Sequence, residues 1–179
     1  MLNYILAFIT GIFVKWVDWI EDEQKGKSKL KYLLAVIYGA LIGYLISVAS
    51  FSEIFLGALV AQIFARKVDT VAHILGFVTA IMSLLFFGFP EIIVPFFAYF
   101  LVLAFIDEQN FGDKYKFITK YRPVLKMGAL LAMLWGRWDY LIAILLFDAG
   151  YMLYQKFKEK EDYLIFFKKE NTESVKPTT

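Results

Sequence analysis

The sequence predicts an all-α fold: a polytopic helical membrane bundle of seven transmembrane helices, with six as the alternative and parallel hairpin repeats within it. Three observations predict it. Hydrophobic residues make up 60% of the chain and aromatics 19%, against about 45–50% apolar residues in a soluble domain. These residues form continuous blocks instead of alternating, which selects helices over a closed barrel, the other structure that satisfies its backbone in lipid. The short connections between blocks alternate between basic and non-basic, as expected of a chain threaded back and forth through a bilayer.

The first block, 2–20, is followed by "WVDWIEDEQKGK", which offers no small-residue cleavage site. It is therefore read as a retained helix and not a signal peptide. Further spans fall at 30–50, 52–68, 72–89, 91–106, 123–136 and 139–157. The third and sixth are short for about 30 Å of hydrocarbon, and the sixth is the one whose loss would leave six crossings. Residues 1–157 form a single transmembrane helical domain and 158–179 a polar cytoplasmic tail, with a short amphipathic piece around Tyr163 to Phe167.

Bases cluster at Lys25, Lys27, Lys29 and Lys31, at Arg66 and Lys67, at Lys114, Lys116, Lys120, Arg122 and Lys126, and in the tail at Lys156, Lys158, Lys160, Lys168 and Lys169. The connections at 50–53 and 89–91 have none, and 136–139 has only Arg137. Because Lys and Arg concentrate on the cytoplasmic side, the N-terminus is expected outside and the tail inside, at the cell membrane. An odd number of spans is needed for that.

The composition also excludes chemistry. With 0 cysteines and 1 histidine, disulfides, thiolate nucleophiles and Cys- or His-rich metal and haem sites are ruled out. The net charge of +2 is spread as flanks of spans and not as one basic face, so nucleic acid is not an expected partner. Membrane lipid is.

Two stretches share the pattern F-[VA]-[KR]-x-V-D-x-[IV]-x-[DH]: "FVKWVDWIED" at 13–22 and "FARKVDTVAH" at 64–73. In a helix, spacings of three and four residues place Lys15, Asp18 and Asp22 on one stripe, and Arg66, Asp69 and His73 on another. One turn back, the stripes reach Gly11 and Gln62. Both lie on odd spans, which run the same way, as parallel repeats would. The other odd spans each bring an aspartate too, Asp107 and Asp148. Asp148 lies deepest, among apolar neighbours, at a cost of about 2.5–3.5 kcal/mol unless paired or protonated; Lys15 and Arg66 are its expected partners. Ordinary roles compete with these. Lysines at span ends snorkel to the headgroups, His73 can be a packed residue, and Asp69–Thr70 can start the fourth helix, which would make 66–73 a turn.

Clustered carboxylates without cysteine suit a hard cation such as Mg²⁺. Asp18, Asp22, Asp69 and Asp107 are the expected ligands. Lys15, Arg66 and Asp148 are the expected catalytic groups, with Arg122 and His73 beside them, acting on a lipid phosphate or diphosphate whose chain lies among the spans. The D-x3-D of Asp18 and Asp22 is similar in kind to the motifs of aspartate-rich membrane prenyltransferases and CDP-alcohol phosphotransferases. The similarity stops there, because the longer asparagine-containing motif of the former and the Asp-Gly…Ala-Arg…Gly signature of the latter are absent. Two other functions fit the same residues. One is a proton- or cation-coupled transporter or channel using Asp148, Asp18 and Gln62, with Pro90, Pro95 and the span glycines permitting rocking. The other is a non-catalytic membrane scaffold. Gly39-x3-Gly43 has the spacing for close helix packing within or between chains, which leaves the oligomeric state open.

Overall fold

A computed structural model describes residues 1–22, 27–109 and 122–173, with side chains through Glu161. Glu23, Lys25, Lys114, Lys116 and Lys120 lie outside the described residues, as does the end of the tail. What is described is all-helical: α1 (Leu2–Asp22), α2 (Leu30–Ser47), α3 (Ser52–Phe64), α4 (Val71–Phe87), α5 (Val94–Glu108), α6 (Pro123–Ala132) and α7 (Trp138–Glu173), with one turn of 3₁₀ helix, Met133–Trp135, after α6. Each predicted block holds one helix, with ends within a few residues of those expected except at the end of α7.

Local chemistry sets the boundaries. Thr70, not Asp69, caps α4, its hydroxyl accepting from the His73 backbone N–H. Gly88 at φ 93° and Gly136 at φ 74° close α4 and the 3₁₀ turn in conformations that side chains resist. Pro95 and Pro123 sit in the first turns of α5 and α6, where a missing N–H costs nothing. The prolines therefore start helices here, and Pro90 lies in a connection; neither breaks a helix. The tail differs from expectation in that α7 continues as one helix through Glu173.

The helices alternate in direction. Asn3 meets Tyr44 and Glu21 meets Lys31, so α2 runs against α1. Leu103 lies by Gly128 and Asp107 by Leu125, so α6 runs against α5. Parallel pairs are welded by glycine. A Cβ on Gly11 would stand 1.9 Å from the Phe147 carbonyl oxygen, and one on Gly150 2.0 Å from that of Phe8, which presses α1 onto α7. Likewise Gly39 and Gly43 seat α2 on the backbone of Gly76 and Ala80 in α4, where a Cβ on either would stand 2.2 Å from a carbonyl oxygen. Small residues let helix backbones approach this closely, and the 39–43 pair is used within the chain.

Toward the end where α1, α3 and α7 begin lies an aromatic cluster. Phe100 packs edge-on against Tyr140 at 4.8 Å, Phe51 lies 5.1 Å from Tyr4, and Phe55 bridges Phe51 and Phe147. Polarity is turned inward: Lys31, Glu53, Asp107 and Asp148 are buried, while Val71, Ile74, Val78, Met82, Leu85 and Phe86 line the outer face of α4. Two helices, α1 and α2, both near the N-terminus, are long and apolar enough to cross a membrane, and α3, α4 and Pro123–Trp135 are apolar but shorter. Their length and composition fit membrane association.

Candidate functional site

At the end where α1 finishes and α4 begins, the helices splay around a cavity of about 320 Å³. Asp18, Glu21 and Asp22 of α1 line one wall, Lys67, Asp69 and His73 another, and Glu108, Arg122 and Tyr151 the third. Tyr38, Phe77 and Phe147 supply aromatic surface. An apolar recess of about 40 Å³ opens beside it. The two share Ile42, Leu59, Gln62, Glu108, Arg122 and Phe147, and the recess extends to Ile54, Phe55 and Ile144. Five of the predicted residues therefore meet: Asp18, Asp22, Asp69, His73 and Arg122.

Asp18 is the centre of the polar contacts. Its Oδ2 accepts from the Tyr151 hydroxyl at 2.9 Å, and its Oδ1 lies 3.3 Å from His73 Nε2. The second contact is at ion-pair distance but lacks hydrogen-bond alignment, which leaves Nε2 buried without a hydrogen-bond partner among the described residues. The other ring nitrogen, Nδ1, stands 3.3 Å from Asp69 Oδ1. His73 thus links α1 to the α3–α4 connection, and an imidazolium faces a carboxylate on each side.

Arg122 reaches the cavity from a strained backbone. It sits at φ 45°, in the left-handed region, just before Pro123, at a cost on the order of 1–2 kcal/mol for a side-chain-bearing residue. Its guanidinium pairs with Glu108 at 3.0 Å and lies over the Tyr151 ring at 5.5 Å. Burial works against the Arg122 charge, but Glu108 together with Tyr151, Asp148 and Asp18 more than offsets it and holds the guanidinium protonated beyond an ordinary arginine.

Four predicted residues have other roles. Asp107 accepts the backbone N–H groups of Val124 at 3.1 Å and Leu125 at 2.6 Å, which caps α6 and uses both of its oxygens; it lines the recess, not the cavity. Asp148 pairs with Lys126, not with Lys15 or Arg66. The pairing follows from α6 lying against α7, whereas Arg66 is on the exposed rim. Lys15 lies 4.9 Å over the Tyr151 ring, behind the cavity wall. The expected second stripe is also corrected. α3 ends at Phe64 and α4 begins at Val71, so residues 66–69 form a turn, with Arg66 itself at φ 55°. The motif match with 13–22, which is continuous helix, is not a structural repeat.

Among the described residues no three histidine, aspartate or glutamate side chains stand close enough to hold a metal ion. Asp18 and Asp22 are one helical turn apart and both line the cavity, and Mg²⁺ is often held by one or two carboxylates completed by water and substrate phosphate.

Tyr151 and Glu108 were not singled out from the sequence, and Lys67 and Lys126 were read there only as loop bases that set the orientation. Tyr151 carried a usable signal, standing one turn beyond Asp148 on the same helix face. Glu108 is the immediate neighbour of Asp107, and which of the two enters the cavity depends on the rotation of α5. Known proteins offer no guide to the site: no family model matches the chain, and no curated protein or solved structure is significantly similar to it.

Proposed function

We propose that the chain is a multi-pass membrane protein with its N-terminus outside and its open, cavity-bearing end at the cytoplasmic headgroup level. The exposed apolar face of α4, with charges buried inside the bundle, supports this. So does the helix alternation, which puts Lys29, Lys67 and Arg122 at one end and Phe89 at the other. A substituted-cysteine test is clean because the chain has 0 cysteines. Lys29→Cys is labelled by an impermeant maleimide only from the cytoplasmic side and Glu91→Cys only from outside. Labelling of both from one side would overturn the topology.

Within that setting the cavity is proposed as the site of a divalent-cation-dependent enzyme acting on a lipid phosphate or diphosphate. The observation that carries it is one juxtaposition: the Asp18–Asp22 carboxylate pair and the bases Lys67 and Arg122 line the same cavity. Asp18 and Asp22 hold the cation, Mg²⁺ in the first instance, whose contribution when bound is to polarise a phosphoryl oxygen. Arg122 and Lys67 neutralise the remaining phosphate charge. The apolar recess lies where the start of a lipid chain would leave the headgroup, and the remaining chain lies in the bilayer. Phe51, Phe100 and Tyr140 are buried toward the other end of the bundle, which favours a one-sided site over a path for transport.

The test is thermal unfolding of the purified chain with Mg²⁺ or Mn²⁺, alone and with inorganic diphosphate. A ligand that binds only the folded state raises Tm with concentration. Wild type is expected to shift with the cation and further with diphosphate, and Asp18→Asn to lose both shifts. An unresponsive wild type would remove the cation site and leave a non-catalytic membrane module.

A further inference from the structure

We infer that Tyr151 is a positioning residue for Asp18, and that it ties the cation side of the cavity to its phosphate side; this rests on the proposed cation site. The phenol donates to Asp18 Oδ2 at 2.9 Å from the neighbouring helix. That bond selects one carboxylate orientation and leaves Oδ1 turned toward His73 and the cavity. The Tyr151 ring is a platform for two cations, with Lys15 Nζ at 4.9 Å and the Arg122 guanidinium at 5.5 Å from its centroid. One side chain therefore orients the carboxylate through its hydroxyl and the arginine through its ring.

The backbone holds the phenol in place. Gly11 lies so close to α7 that a Cβ there would meet the Tyr151 amide nitrogen at 3.0 Å. On α7, Asp148, one turn before Tyr151, is anchored to Lys126 of α6. Tyr151 is thus set between a helix–helix weld and an ion pair, and its hydroxyl has little freedom to leave Asp18. Hydrogen bonds of this kind to a metal-binding group govern its orientation and basicity, and removing one costs about 10–100-fold in metal affinity.

The test is Mg²⁺ titration of the full chain in detergent by calorimetry, comparing wild type, Tyr151→Phe and Asp18→Asn, with Tyr154→Phe as control. Tyr154 stacks on Trp16 one turn further along α7, and its variant is expected to bind like wild type. Tyr151→Phe keeps both cation–ring contacts and loses only the hydroxyl. It is expected to weaken Mg²⁺ binding about tenfold or more, with the Tm of the cation-free protein nearly unchanged. Tyr151→Phe with wild-type affinity, or with a lowered cation-free Tm and unaltered affinity, would overturn the positioning role while leaving the cation site standing. A wild type that does not bind Mg²⁺ would overturn both.

Discussion

Glu53 and Asp18 are carboxylates near opposite ends of the bundle, and their oxygens are used in opposite ways. Glu53 is fully buried and saturated. One oxygen accepts the Ile93 backbone N–H at 3.0 Å; the other accepts Ser52 and Tyr140 hydroxyls at 2.8 and 2.7 Å and faces Arg137 at 3.3 Å. Arg137 is itself clamped over the Tyr140 ring at 4.5 Å. Asp18 has one hydroxyl donor and one unaligned histidine, and it borders a cavity. Burying a carboxylate is tolerated when donors replace its water, and Glu53 meets that condition with nothing left for a ligand. Asp18 keeps unused acceptor capacity where a cation can enter. The difference separates a saturated carboxylate from one with room for a ligand, which depth alone does not.

The comparison is broken most severely at the closed end. Glu53→Ala strands Arg137 and the Ile93 N–H, and is expected to cost about 3–5 kcal/mol, read by thermal or denaturant unfolding in detergent. The surviving folded fraction should still bind Mg²⁺. A loss below about 1 kcal/mol would mean that the closed end is not the lock its geometry describes.

Asp107→Ala tests a carboxylate at the open end that is used as Glu53 is. It removes the acceptor for two backbone N–H groups at the start of α6, and should cost about 1–3 kcal/mol. His73→Gln removes a contact between α1 and the α3–α4 connection that is partly buried on the Asp18 side and exposed on the Asp69 side. Its stability loss should stay under about 1 kcal/mol, and a larger one would place His73 with the structural groups. Asp22→Asn should be smallest of all, within about 0.5 kcal/mol of wild-type stability because the residue is exposed, while abolishing the Mg²⁺-induced rise in Tm. A retained rise would remove Asp22 from the site.

Helix positions were legible in the sequence to within a few residues at most ends, because a run of apolar residues determines both that a segment is helical and roughly where it stops. The turn at 66–69 was harder. Phe64 to His73 carries the same residue types as Phe13 to Asp22, and the break comes from Thr70 capping α4 and Arg66 taking a left-handed conformation, choices that a spacing pattern does not encode. The site was legible in part. Asp18, Asp22, Asp69, His73 and Arg122 could be selected as polar groups at the ends of apolar helices, and they do line one cavity.

By itself, then, the sequence determined an all-helical chain with apolar blocks, charges gathered at alternate connections, and no thiol or multi-histidine chemistry. These are local or compositional properties, which each segment carries wherever it is placed. Only the tertiary structure decided which charges line the cavity and which are braces. The glycine contacts that press α1 onto α7 and α2 onto α4 fix how each helix is rotated. That rotation gives Lys126 to Asp148, the start of α6 to Asp107, and Tyr151 to Asp18. A carboxylate's role depends on how many donors reach it, and those donors come from segments far away along the chain.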